Sequence, residues 1–190
     1  MVVFDANFLI YFLDPRIKGG VGNNPRVDHL VATIQKTGER IVVPTPALSE
    51  LLVKAGDAGP KYLEIIARSK FFRVAEFGER AAVEAAALTR DAIAIGDKRG
   101  ATLEADWGKV KFDRQIVAIA RVLGASTIYT NDGQLAQHAK AVGLKQLVWR
   151  GSQSHPLFRN WKCTSIRSNP SQRRATGRMT IERNAVAVGW

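Results

Sequence analysis

Asp5, Glu50, Asp113 and Asp132 sit at the ends of apolar segments that otherwise have no use for charge. Asp5 ends Val2-Val3-Phe4, and Asp132 ends Thr127-Ile128-Tyr129-Thr130-Asn131. Glu50 follows Ile41-Val42-Val43-Pro44 by half a helical segment, and Asp113 opens a helical stretch from Phe112 to Leu123. Like charges gathered at about 4 Å repel by several kcal/mol. Raised pKa values or a bound cation relieve that repulsion. With no Cys or His among the four, an all-oxygen set suits Mg2+ or Mn2+. The chemistry of such a site is water activation and neutralisation of charge on a phosphodiester. Asp5, Asp113 and Asp132 are the candidate metal ligands, with Glu50 completing the surrounding layer or activating the attacking water. Each acid also has a plainer reading alone: Asp5 as a helix N-cap, Asp113 as a cap or first-turn dipole partner, Asp132 as a turn residue before Gly133, and Glu50 as a solvated helical position.

The elements that must position these groups alternate along the chain. A short apolar run at residues 1–4 reads as a buried strand, and the runs at 40–43, 71–74, 127–130 and 144–149 read as four more strands. Helical spacing spans 7–13, 26–37, the segment after Pro44 and Pro46 carrying Leu48, Leu51 and Leu52, the segment opened by Pro60, and then 81–95, 112–123 and 133–142. Residues 15–25 and the charged, glycine-bearing stretch 96–111 read as loops. Strands alternating with helices predict a three-layer α/β/α sandwich around a mostly parallel sheet of four to five strands. In such a sheet ligands bind beyond the carboxyl ends of the strands, where the strand order reverses. If strands one and four are neighbours, Asp5 and Asp132 flank one crevice.

Composition bounds the partners. The chain has 190 residues, 46% hydrophobic, with a formal charge of +11. That size suits one domain with an appendage, and that basicity favours a polyanion such as nucleic acid over simple solubility. A single cysteine, Cys163, excludes an intrachain disulfide and a Cys-rich zinc site. No apolar run approaches a membrane span, and the N-terminus lacks the basic flank of a secretory signal, so a cytoplasmic location with no membrane partner is expected. The division expected is a domain over 1–150 and a basic extension over 151–190. The extension holds seven Lys or Arg and one acid, Glu182, and so carries +6 of the +11. It reads as a disordered tail or as an arm touching nucleic acid.

At the four acids the chain resembles the PIN-domain ribonucleases and, within them, the VapC-type toxins of toxin–antitoxin pairs. The matching pieces are Val2 to Ile10, Thr45-Pro46-Ala47-Leu48-Ser49-Glu50-Leu51, Phe112 to Ala120, and Ile128-Tyr129-Thr130-Asn131-Asp132. The resemblance implies a Mg2+- or Mn2+-dependent endoribonuclease, a homodimer, held inactive by a cognate antitoxin protein. It places the acidic quartet on Asp5, Glu50, Asp113 and Asp132, with Asn7 and Thr130, and with them Asn131, as site-ordering positions. Ala6 departs from the Ser or Thr often found there.

Other signals are weaker. Gly19-Gly20-Val21-Gly22 lacks the Lys-Ser/Thr of a phosphate loop. His29, His138 and His155 are far apart, and Cys163 has no structured base nearby. Trp107 with Lys98, Arg99, Lys109, Lys111 and Arg114 reads as an RNA-facing lip, an aromatic among cations. The alternatives to a metal-dependent endoribonuclease are a non-catalytic basic RNA-binding module and a structure-selective DNA nuclease of related fold.

Overall fold

The structure, a computed structural model, describes residues 1–14, 24–99 and 106–148. The elements run β1 (Val2–Phe4), α1 (Ala6–Leu13), α2 (Pro25–Thr37), β2 (Ile41–Pro44), α3 (Thr45–Ala55), α4 (Gly59–Arg68), β3 (Phe72–Ala75), α5 (Glu79–Ala94), α6 (Trp107–Val122), β4 (Thr127–Thr130), α7 (Gly133–Ala141) and β5 (Lys145–Val148). Residues 15–23 of the loop read at 15–25, Trp149, the basic extension, Cys163 and His155 lie outside the described residues.

The five strands form one sheet in the order β3-β2-β1-β4-β5, and every pair is parallel. The central strands β1 and β2 are buried throughout, as a parallel sheet between helical layers requires, whereas the edge strand β3 exposes Arg73 and Val74. Period-two alternation divides the core. Val2, Phe4, Ile41 and Val43 pack with Phe8 and Leu9 of α1, Leu30 and Ile34 of α2, Leu51 of α3, and Tyr62 and Ile66 of α4. Val3, Val42 and Ile128 point the other way, onto Ala81 of α5, Ile116, Val117, Ile119 and Ala120 of α6, and Leu135 and Ala139 of α7. Phe4 and Phe8 cross edge to face at 4.7 Å in the first of these layers.

The sequence direction of the sheet reverses between β1 and β4, so the chain's switch point lies where the first and fourth strands meet. Register sets the two neighbours level: Val3 pairs with Ile128 and Phe4 with Tyr129, and the Asp5 amide donates to the Tyr129 carbonyl at 3.1 Å.

One element differs from expectation. The sequence predicts a loop over 96–111, but α6 begins at Trp107. Asp106 has extended backbone and its side chain accepts from the Lys109 amide, which makes it the N-cap. Gly108 and the charges hid this start. Asp113 therefore does not open the helix. It sits in the second turn, on the face turned to the sheet edge, and is buried.

Candidate active site

Asp5 is held by its surroundings from both sides. It is 3% exposed and N-caps α1, its Oδ1 accepting from the Phe8 amide at 2.6 Å. Its Oδ2 accepts from the Thr130 hydroxyl, and that hydroxyl oxygen accepts in turn from the Asp132 amide at 2.8 Å. One buried threonine thus fixes the end of β1 to the start of α7. Asp132 N-caps α7 through Oδ1, which accepts from the amides of Gln134 at 2.7 Å and Leu135 at 3.2 Å. The plain N-cap reading of Asp5 and the functional one are therefore not rivals, because a carboxylate has lone pairs left after capping.

Two lysines answer the negative charge. Lys109 Nζ lies 3.1 Å from Asp113 Oδ2 and 2.6 Å from Asp132 Oδ2, so one ammonium is shared by two of the acids. Lys54 Nζ lies 2.5 Å from Glu50 Oε1 and donates to Asn7 Oδ1 at 2.7 Å. Both lysines stand one helical turn from an acid they pair with, Lys109 four before Asp113 and Lys54 four after Glu50. That i,i+4 spacing is a signal in the sequence that could have found them.

The protonation energetics follow. Burial pushes the Asp5 carboxyl up to about 6, against the pull of the Thr130 and Phe8 hydrogen bonds, and the charges of Glu50 and Asp132 add to the rise. Burial likewise pushes Asp113 up to about 6, with Lys109 opposing and Asp132 and Glu50 contributing. Asp132 is also raised by burial, but the Lys109 hydrogen bond, the Gln134 and Leu135 amides and the Lys109 charge outweigh it and bring it below the ordinary value. Burial presses the Lys109 ammonium down, while Asp132 and Asp113 raise it further and leave it above the usual lysine value.

All four acids line one cleft of about 490 Å³, with Asn7, Ser49 and Lys109 among the polar wall and Val53, Phe112, Ile116 and Leu135 among the apolar wall. Among the described residues, no three His, Cys, Asp or Glu side chains are drawn together in a group that could hold a metal as they stand. Lys54 and Lys109 each pair with carboxylate oxygens in this cleft. The donor set itself fits a hard divalent ion: four carboxylates line the cleft, and a cationic group is already seated between Asp113 and Asp132. Lys109 is 43% exposed at its side chain and has solvent to swing into.

The other expected site residues divide. Asn7 lines the cleft and Thr130 anchors Asp5, whereas Asn131 does not line the cleft and its buried Oδ1 has no hydrogen-bond partner among the described residues. The lip residues also separate. Lys98 and Lys111 lie over the Trp107 ring at 4.7 and 5.4 Å, outside the cleft lining, and the Arg99 carbonyl accepts from Gln134 Nε2. Lys109, expected on that lip, is instead a partner of the carboxylates. Arg114, also expected there, is corrected by its burial: it is 4% exposed, stacks 5.6 Å from the Trp107 ring and donates to the Lys98 carbonyl at 2.8 Å. Its guanidinium ties the 97–99 segment to α6. It lines a separate cavity of about 280 Å³ with His138, which burial and the Arg114 charge hold below the usual histidine value. Lys54, Ser49, Val53, Asp106 and Phe112 are cleft or clamp residues that the sequence reading missed.

Comparison with known proteins agrees with this topology. A family profile described as PIN domain matches residues 2–141. No curated protein matches the sequence. Among solved structures, VapBC2 from Rickettsia felis bound to a DNA fragment from its promoter superposes with a TM-score of 0.55 at 15% identity, over 79% of this chain and 100% of that one. DNA-bound VapBC from Salmonella typhimurium gives 0.51 at 15% identity, over 77% and 96%. The sarcin-ricin loop cleaving toxin VapC20 of Mycobacterium tuberculosis gives 0.50 at 15% identity, over 78% and 100%. At that identity the likeness is one of fold.

Proposed function

The chain belongs to the PIN domain family, and on that premise we propose that it is a divalent-metal-dependent endoribonuclease and the toxin of a toxin–antitoxin pair. The observation that carries the reading is the convergence of Asp5, Glu50, Asp113 and Asp132 on one cleft at the β1/β4 switch point of a chain with net charge +11. Asp5, Asp113 and Asp132 would hold Mg2+ or Mn2+. When bound, the ion supplies a water of lowered pKa and charge neutralisation at the scissile phosphate. Glu50, on the wall opposite α6, orients or deprotonates the attacking water. Thr130 and the α1 and α7 N-termini fix the direction of Asp5 and Asp132, which is the pre-organisation such chemistry needs. Lys54 and Lys109 offset the repulsion between an acidic floor and a polyanionic substrate.

The partners follow the same reading: an RNA substrate, a cognate antitoxin protein and a second copy of the chain, in the cytoplasm. Two of the structural neighbours are toxin–antitoxin complexes, and among the described residues no helix is long and apolar enough to cross a membrane. The test is cleavage of matched RNA and DNA oligonucleotides in Mg2+, in Mn2+ and in EDTA, with Asp5→Asn as control. Cleavage of RNA that needs metal and Asp5 is the expected result. Binding to RNA that is indifferent to metal and never followed by cleavage would leave the non-catalytic binding module standing, and preferential cutting of DNA would favour the DNA nuclease.

A further inference from the structure

Phe112 is the only exposed aromatic side chain among the described residues, 49% exposed, whereas Phe4 and Phe8 are fully buried. It makes no ring contact among those residues. Its place on α6 is the reason it matters. Lys109, Phe112, Asp113 and Ile116 fall at the i, i+3, i+4, i+7 positions of one helix face, and all four line the acidic cleft. Across the cleft α3 presents Val53, 80% exposed, one turn beyond Ser49 and Glu50 on the same wall. Asp5 and Asp113 form a buried floor, and Phe112 and Val53 stand exposed at the mouth beside Glu50 and Lys109. A lone exposed Phe is ordinary on a surface. An exposed Phe and an exposed Val therefore line the same cleft as the four carboxylates.

We infer that Phe112 stacks on the nucleobase next to the scissile phosphate, with Val53 closing the other side of that base. The inference rests on the nuclease reading of the same cleft. It commits to a nucleobase as occupant because the floor takes the phosphate of the same nucleotide strand, and a base offers a flat apolar face adjoining an anionic group. Base–aromatic stacking is sequence-tolerant and contributes measurably to single-strand binding. Phe112 contacts the base and positions the phosphate, and the acids remain the reacting groups.

The experiment is a cycle on one RNA oligonucleotide whose cleavage site has been mapped. Wild type, Phe112→Ala and Phe112→Trp are compared on the intact RNA and on RNAs with an abasic ribonucleotide at each position flanking the cut. Single-turnover cleavage and equilibrium binding in Ca2+ are both read. Phe112→Ala is expected to weaken binding and kcat/KM about tenfold, mostly in KM, with Phe112→Trp restoring it. One abasic position is expected to weaken the wild type by the same factor and to leave Phe112→Ala unaffected. Circular dichroism checks that the half-exposed substitution keeps the fold. Equal binding and cleavage by Phe112→Ala, or losses that multiply at every abasic position, would overturn the inference and leave the apolar mouth to a protein partner. Absence of metal-dependent cleavage by wild type would reject the nuclease reading instead, and binding of the intact RNA and of a fully abasic RNA by wild type and Phe112→Ala would still decide whether Phe112 holds a base.

Discussion

Replacing Asp5 by Asn is expected to stabilise the metal-free protein at neutral pH while abolishing its activity, a combination opposite to that of ordinary buried substitutions. The reason lies in the cost of holding a carboxylate at 3% exposure. Burial raises its pKa from 3.8 to about 6. At about 1.4 kcal/mol per pH unit, the charged form is roughly 3 kcal/mol less favourable folded than unfolded. The sign is fixed by linkage: between 3.8 and about 6 the folded state keeps a proton that the unfolded state has lost, so stability falls as pH rises through that window and stays reduced above it. Asn keeps the cap, since its oxygen can still accept from the Phe8 amide, and its NH2 can donate to the Thr130 oxygen. The Thr130 proton then loses its acceptor, at a cost of about 1 kcal/mol. The net gain is about 2 kcal/mol above pH 6, or roughly 4–8 °C in melting midpoint for a chain of this size. Toward pH 4 and below the sign reverses, because the charge penalty shrinks as Asp5 gains its proton in both states and the lost hydroxyl bond outweighs it. The assay is a thermal melt of both proteins in EDTA from pH 4 to 8. A variant that melts at or below the wild type at pH 7.5 would refute the reasoning.

Three further outcomes follow from the same contacts. Lys109→Met is expected to lower metal-free stability by about 1 kcal/mol, a figure discounted for the half-open setting of the lysine, and to tighten Mn2+ binding about tenfold, read by calorimetry, because no ammonium need leave Asp113 and Asp132. Thr130→Val removes a donor to Asp5 and an acceptor for the Asp132 amide; a denaturant titration should show a loss of about 2 kcal/mol, with Thr130→Ser near wild type. Arg114→Ala should cost about 2 kcal/mol through its lost packing and hydrogen bond, and hydrogen exchange should quicken at residues 97–99, while salt dependence of RNA binding stays unchanged because the guanidinium is buried.

The legible part of the molecule was the part set by period and punctuation. Val2-Val3-Phe4 and Thr127 to Thr130 announce buried strands, and a parallel sheet then carries Asp5 and Asp132 to one edge whatever the details of packing. Glu50 and Asp113 came with them because α3 and α6 adjoin the strands on either side of the switch point. What stayed hidden depended on which side chains answer which. Lys109 reads as a solvated cation until Asp132 is known to lie across from it, a contact between residues 23 apart in sequence. Arg114 reads as exposed because charge normally is, yet Trp107 and the Lys98 carbonyl give its guanidinium a buried setting. The start of α6 is masked by Gly108 and its charged neighbours, although Asp106 is itself a favoured N-cap residue. Phe112 was counted as the first residue of a helix, and only the geometry turns it toward the cleft.

The central claim is that three aspartates from three separate stretches of chain act as one cation site. Calorimetric titration of Mn2+ at pH 7.5 into the wild type, into Asp5→Asn, Asp113→Asn and Asp132→Asn, and into Asp57→Asn as a control outside the cleft tests it directly. Saturable binding by the wild type and the control, lost in each of the other three with the fold intact, is the result expected. No saturable binding by the wild type, or binding that survives all three substitutions, would contradict it.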